Sequence, residues 1–166
     1  MKNILSVIVI ASCLTITYQD LKYRYIHLAG ILVLALGLFF LEYNRLSTVL
    51  PTVISNCVFL TVLCFVLFLY FRIKNNDKKF INRYIGVGDL VLFAVFTIPF
   101  NTYNYIVFIC SGCILAVLFW LFNLVIFNKH LVRIPLAGIL TFYYSLVFIT
   151  CQFVSFDTHT TTLIEI

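Results

Sequence analysis

A chain of 166 residues with 63% hydrophobic, 17% aromatic and only 10% charged residues, at a mean hydropathy of +1.11, is too apolar for a water-soluble domain. These values predict an integral membrane protein: an all-α, polytopic bundle of about six transmembrane helices in one membrane-embedded domain over residues 1–166. The net charge of +5 comes from basic residues clustered between apolar runs, so it reads as membrane orientation and not as nucleic-acid binding.

The first apolar run, Ile4 to Tyr18, predicts a helix closed by Asp20. Lys2 and the segment Ile10-Ala11-Ser12-Cys13 imitate a secretory signal ending in a lipidated cysteine. Cleavage there would leave Tyr18 to His27 outside, against the charge distribution of the chain, so the first helix is expected to stay uncleaved. Further runs follow at Leu28 to Tyr43, Leu50 to Phe71, Ile85 to Phe100, Tyr105 to Phe127 and Pro135 to Phe156. The first and fourth are short, and at about 15 to 16 residues they reach roughly 24 Å of a hydrocarbon layer about 30 Å thick. Such helices must thin the bilayer or extend through polar flanks. All six runs are continuous rather than alternating, which argues against strands.

Between the runs lie Asn44-Arg45-Leu46-Ser47, Arg72 to Arg83, Asn101-Thr102-Tyr103-Asn104 and Asn128 to Arg133, all expected as loops. Sorted by alternate loops, Lys22, Arg24, Arg72, Lys74, Lys78, Lys79, Arg83, Lys129 and Arg133 fall on one side, and only Lys2 and Arg45 on the other. This asymmetry assigns the first group to the cytoplasm and both termini to the outside. The stretch Arg72 to Arg83 then reads as a solvated cytoplasmic loop.

The six cysteines, Cys13, Cys57, Cys64, Cys110, Cys113 and Cys151, all lie within expected helices and read as small packing residues. Cys110 and Cys113 share a helical face, but zinc would need two further ligands and no second pair exists. Among the six acids, Glu42 ends the second helix, Asp157 and Glu165 lie in the outer tail, and Asp77 is surrounded by Lys74, Lys78 and Lys79. Asp20 and Asp89 are different. One closes the first helix and the other opens the fourth, on the cytoplasmic side at similar depth, where ionisable groups are costly and mark function.

Two carboxylates that meet in a low-dielectric site do not readily both ionise, so such a pair shares a proton and its titration steps move apart. The ionised member takes a proton from water attacking an amide carbonyl, while the protonated member hydrogen-bonds the carbonyl oxygen. This chemistry requires no metal, cofactor or covalent nucleophile. Gly86 and Gly88 in Gly86-Val87-Gly88-Asp89 would let an extended substrate backbone approach the carboxylate and would permit unusual dihedrals at the helix start. A helix amino terminus also favours a carboxylate at Asp89.

Over nearly its whole length the chain resembles the type IV prepilin peptidases, which include the preflagellin peptidases and are membrane aspartyl proteases of the Gly-x-Gly-Asp class. Asp20-Leu21-Lys22-Tyr23-Arg24-Tyr25-Ile26 is similar to the family's first motif, an aspartate followed by basic residues and an isoleucine. Gly86-Val87-Gly88-Asp89-Leu90 is similar to its second, and Arg133-Ile134-Pro135-Leu136-Ala137-Gly138 resembles the Ile-Pro segment that begins its last helix. The resemblance implies that Asp20 and Asp89 are the catalytic pair, with Lys22, Arg24 and Pro135 in support. It implies a prepilin-like or preflagellin-like precursor as substrate, cut on the cytoplasmic side of a prokaryotic cytoplasmic membrane.

The chain departs from the family at His27, where proline commonly follows the isoleucine, and at Val91, where a lysine often stands two positions after the second aspartate. It has no Cys-x-x-Cys cytoplasmic segment like that of the longer bifunctional enzymes, so amino-terminal methylation is not expected of it. His27 reads as an interfacial polar residue. A precursor with a short basic leader and a long apolar helix would lie alongside the bundle in the bilayer, with its cut at the cytoplasmic boundary. The same composition and topology also fit a non-catalytic membrane assembly subunit, or a cation carrier using the two aspartates.

Overall fold

The computed structural model describes residues 2–75, 86–127 and 135–154. Asp77, Asp157, Glu165, Lys129, Arg133 and most of the Arg72 to Arg83 loop lie outside these residues, and so do the positions that would fix the sidedness of the termini. The described residues form α1 (Lys2–Tyr23), α2 (Leu28–Glu42), a 3-10 turn (Tyr43–Arg45), α3 (Leu46–Asn75), α4 (Val87–Val95), α5 (Thr102–Phe127) and α6 (Leu136–Val154), with no strand among them. The fold is all-helical, as the continuous apolar runs require.

Packing contacts fix the helix directions. Gly30 of α2 faces Ile16 of α1 and Gly37 faces Val9, so these helices are antiparallel. Thr17 meets Thr141 while Asp20 meets Gly138, which makes α1 and α6 antiparallel. Phe108 stacks on Tyr143 and Gly112 abuts Leu140, setting α5 against α6 in the same way. Asn56 bonds to Phe100 and Phe59 meets Tyr105, so α3 and the start of α5 run together. Successive helices therefore alternate in direction along the chain.

Among the described residues three segments are long and apolar enough to cross a membrane: Asn3–Tyr23, Leu28–Tyr70 and Thr102–Val125, with Leu136–Gln152 as a shorter apolar helix. The 43-residue segment Leu28–Tyr70 contains α2 and most of α3, two legs of opposite direction joined through the 3-10 turn. The Asn44 to Ser47 connection is thus tighter than the expected loop, because Tyr43 and Leu46 both keep right-handed helical dihedrals.

The fourth apolar run differs most from expectation. Its helix has nine residues, so it is about 13 Å long and cannot by itself cross a bilayer. Pro99 supplies the reason: it has no N–H to continue the ladder, and it disfavours a helical conformation at Ile98 before it. Phe96 to Phe100 form turns and bends instead, closed by Thr97 N–H to Ala94 O and Ile98 N–H to Val95 O.

The core sits where α4 ends. Phe96, Phe100, Phe108 and Tyr144 are buried and in mutual ring contact, and Phe108 stacks on Tyr143 at 5.3 Å. Such pairs add about 0.5–1.5 kcal/mol each beyond area burial. Between α1 and α2, and between α5 and α6, close approach falls to glycine. A Cβ on Gly37 would lie 2.8 Å from Val9, and one on Gly112 would overlap Leu140. Small residues at such crossings are how helices pack when lipid surrounds them. The outward faces are equally apolar, with Val62, Phe65, Val66, Leu118 and Phe122 exposed, a surface suited to lipid and not to water.

Candidate active site

The amino terminus of α6 is prepared by its sequence. Pro135 is buried, immediately precedes the helix, and accepts Ile139 N–H with its carbonyl at 3.1 Å. A helix start leaves its first N–H groups without intrahelical partners. In α6 these include the amides of Ala137 and Gly138, and each is taken by one of the two aspartates.

Asp20 lies in the last turn of α1, 8% exposed. Its Oδ2 accepts Gly138 N–H at 2.6 Å, a short charge-assisted bond. This approach is possible because residue 138 is glycine: a Cβ there would stand 3.1 Å from Asp20 Oδ2, 3.2 Å from Asp20 Cβ and 3.4 Å from the Thr17 carbonyl. One turn deeper, the Thr17 and Thr141 hydroxyls meet at 2.9 Å, and Thr17 Oγ1 also lies 3.2 Å from Gly138 O. The α1–α6 contact is thus polar along one short stripe ending at Asp20.

Asp89 stands in the first turn of α4, with Gly86 as the N-cap. Its backbone N–H bonds to Gly86 O at 3.1 Å, and its side chain reaches back to the Gly86 amide, the pattern of an acidic residue three positions into a helix. The same carboxylate accepts the Ala137 amide and interacts electrostatically with Asp20. Two acids separated by 69 positions therefore converge on consecutive amides of a third helix. This chemistry fits a shared-proton acid and base pair.

The glycines do not supply the unusual dihedrals expected of them. Gly86 has φ −69° and ψ 138°, and no glycine among the described residues has positive φ, so unusual dihedrals are not their purpose. Gly86 leaves room for the acid: a Cβ would fall 3.0 Å from Asp89 Oδ2. Gly88 packs toward Ile26, whose Cδ1 lies 3.4 Å from where its Cβ would be, so the two aspartate motifs touch directly. Gly86 itself is exposed beside the carboxylate.

The residues expected in support divide. Pro135 immediately precedes α6. Arg24 interacts electrostatically with Asp20 and occupies a left-handed conformation, φ 60°, where α1 ends. Lys22 is exposed and engaged with tyrosines instead, since its ammonium donates to Tyr18 Oη at 2.7 Å and lies 5.1 Å from the ring centres of Tyr18 and Tyr23. His27 caps α2, donates its backbone N–H to Gln19 Oε1 and meets Tyr25 edge-on. Val91 is half-buried against the core.

Among the described residues no group of three His, Cys, Asp or Glu side chains gathers for a metal, and Cys110 and Cys113 are free thiols. Sequence reasoning did not identify Ala137, Gly138, Thr17 or Thr141. The available signals were the small residues just after Pro135 and a threonine three positions before Asp20, on its own helical face.

A family model described as the type IV leader peptidase family matches residues 7–121. No curated protein and no solved structure matched the chain. The matched stretch covers more than half of the sequence and takes in both aspartates and the Gly-x-Gly start of α4; the chain belongs to the type IV leader peptidase family.

Proposed function

We propose that this protein is an aspartyl endopeptidase that removes the short basic leader of prepilin-like or preflagellin-like precursors at the cytoplasmic boundary of a prokaryotic cytoplasmic membrane, with Asp20 and Asp89 as the catalytic pair. The observation that carries this reading is the convergence of the two carboxylates on the Gly138 and Ala137 amides. Membership of a leader peptidase family supplies the substrate class.

In this mechanism one proton is shared by the pair. The ionised aspartate accepts a proton from water as the water oxygen bonds to the scissile carbonyl carbon. The protonated aspartate donates a hydrogen bond to the carbonyl oxygen, where negative charge develops. Collapse of the tetrahedral intermediate breaks the C–N bond, and the leaving amine takes the proton gained by the first aspartate. A backbone amide holds Asp20 through Oδ2, leaving Oδ1 for water or substrate, and the Gly86 and Ala137 amides fix the Asp89 carboxylate. Exposed Gly86 beside Asp89 offers an edge along which an extended backbone can pass without meeting a side chain.

The precursor's apolar helix would lie against the apolar outer face of the bundle and deliver the cut site to the carboxylates. Nine of the eleven basic residues lie on the expected cytoplasmic side, which orients the protein with both termini outside.

The test is co-expression with a precursor carrying a basic leader and an apolar helix. Asp20→Asn and Asp89→Asn should each abolish leader removal while the protein remains inserted in the membrane. Undiminished processing by either variant would sink the catalytic pair and favour a non-catalytic or transport role.

A further inference from the structure

The inner end of α4 poses a problem that the catalytic pair does not solve. A helix end leaves its last carbonyls without intrahelical donors, and burying one away from water without a partner is costly. Local bonds at the end of α4 account for Leu92, Ala94 and Val95, whose carbonyls take Phe96 N–H, Thr97 N–H and Ile98 N–H. Thr97 Oγ1 adds a second bond to Ala94 O at 2.7 Å. The carbonyls of Phe93, Thr97 and Phe100 turn to other helices.

Tyr105, fully buried near the start of α5, donates its hydroxyl to Phe93 O at 2.9 Å. Asn56, fully buried in α3, donates its amide to Thr97 O at 3.1 Å and to Phe100 O at 3.0 Å. Tyr105 and Phe59 of α3 also meet edge-on at 6.2 Å, so the two donors belong to one packed unit. The other end of the Asn56 side chain shows its purpose. Among the described residues Oδ1 accepts no hydrogen bond, although it is buried. A residue kept for helix packing alone would be better as leucine, because an unpaired buried acceptor is costly. The amide is held here for its two donors.

Phe93 lies four residues beyond Asp89, one helical turn and about 6 Å along the axis. The hydroxyl of Tyr105 therefore grips the short helix that carries Asp89, one turn away, and the amide of Asn56 holds the turn that closes that helix, at Thr97 and Phe100. We infer that Asn56 and Tyr105 are positioning residues that set the depth and rotation of α4, and through it the meeting of Asp89 with Asp20 at α6. This inference rests on the proposed aspartyl mechanism but makes a separate claim about the placement of α4.

The experiment uses the full chain in detergent micelles with a purified precursor, comparing Tyr105→Phe, Asn56→Leu and Asn56→Gln with wild type and Asp89→Asn. Tyr105→Phe removes one hydroxyl from an otherwise unchanged ring and guards against a failure of Asn56→Leu to fold. A misplaced acid lowers kcat without weakening substrate binding, so each of Tyr105→Phe and Asn56→Leu should lower kcat about tenfold or more with KM within about twofold. Asn56→Gln, which keeps both donors, should recover part of the loss.

An activity-independent arm uses Val87→Cys, half-exposed in the first turn of α4, with the native cysteines replaced. Its rate of labelling by a water-soluble maleimide should change at least about threefold when Asn56→Leu or Tyr105→Phe is added, as a shifted helix requires. Unchanged kcat in both variants beside an active wild type and an inactive Asp89→Asn overturns the positioning role and leaves the catalytic pair standing. Failure of the wild type to cleave overturns the functional reading instead, and unchanged labelling then overturns the positioning role by itself.

Discussion

The Gly138 amide and Asp20 Oδ2 stand 2.6 Å apart, and this bond joins the end of α1 to the beginning of α6. It exists because proline opens α6 and because residue 138 has no side chain. Gly138→Ala should therefore push Asp20 off its donor: the new methyl would stand 3.1 Å from Oδ2, which must swing away, and 3.2 Å from Asp20 Cβ and 3.4 Å from the Thr17 carbonyl, which cannot move without moving α1. Overpacking of this kind costs about 1–3 kcal/mol. Leader removal by Gly138→Ala should fall at least about tenfold, measured as initial rate on a purified precursor. A normal rate would show that Asp20 does not depend on this donor.

Thr17 and Thr141 form a hydroxyl pair one turn deeper, a contact that buries two polar groups with each as the other's partner. Thr17→Val should destabilise the protein by about 0.5–1.5 kcal/mol, and Thr141→Val similarly, in the range of hydrogen bonds between membrane helices. The double variant should cost less than the sum, because the second substitution removes a hydroxyl that has already lost its partner hydroxyl and keeps only helix carbonyls, among them Cys13 O for Thr17 and Ala137 O for Thr141. Reversible unfolding in mixed micelles reads the cycle, and strict additivity would refute direct coupling.

Arg24 gives a test of backbone strain that is separable from charge. Its φ of 60° is a conformation that glycine adopts freely and other residues adopt at a cost. Arg24→Gly and Arg24→Ala both lose the guanidinium near Asp20, so their difference isolates the dihedral. The glycine variant should be the more stable by about 1 kcal/mol. Equal unfolding midpoints would mean that the α1 terminus relaxes away from the left-handed region.

Helix alternation predicts a labelling pattern. In a cysteine-free background, Lys78→Cys and Lys129→Cys should react with an impermeant maleimide only when the cytoplasmic face is open, and Arg45→Cys should react from outside on intact cells. Labelling of position 78 or 129 from outside would reverse the orientation read from the charge asymmetry.

Much of this arrangement is legible in the sequence for a simple physical reason. Helices surrounded by lipid announce themselves as unbroken apolar runs, and the rarity of acids in such runs makes Asp20 and Asp89 conspicuous. Their meeting follows from a common end of the bundle, reached through alternating helix directions. The short α4 was hidden because Ile85 to Phe100 is apolar throughout: composition does not tell a helix from a buried turn, and Pro99 near the end of the run reads equally well as its terminator. The donors to the acids were hidden for a different reason. They are backbone amides of Ala137 and Gly138, and a main-chain group has no letter of its own. Asn56 did leave a trace, as the one side-chain amide between Leu46 and Phe71, but its partners are carbonyls 41 and 44 positions away.

The spacing of the two acids has an unusual guarantor. Ala137 and Gly138 are joined by a single peptide bond, whose planarity holds consecutive Cα atoms about 3.8 Å apart. Side chains along α6 can drift without changing that gauge, since neither amide belongs to a replaceable group. A deletion between Pro135 and Gly138 would change it, turning the following helix by about 100° against its opening. Leader peptidases built on this plan should therefore tolerate substitution in their last helix beyond Gly138 far better than a change in the length of its opening.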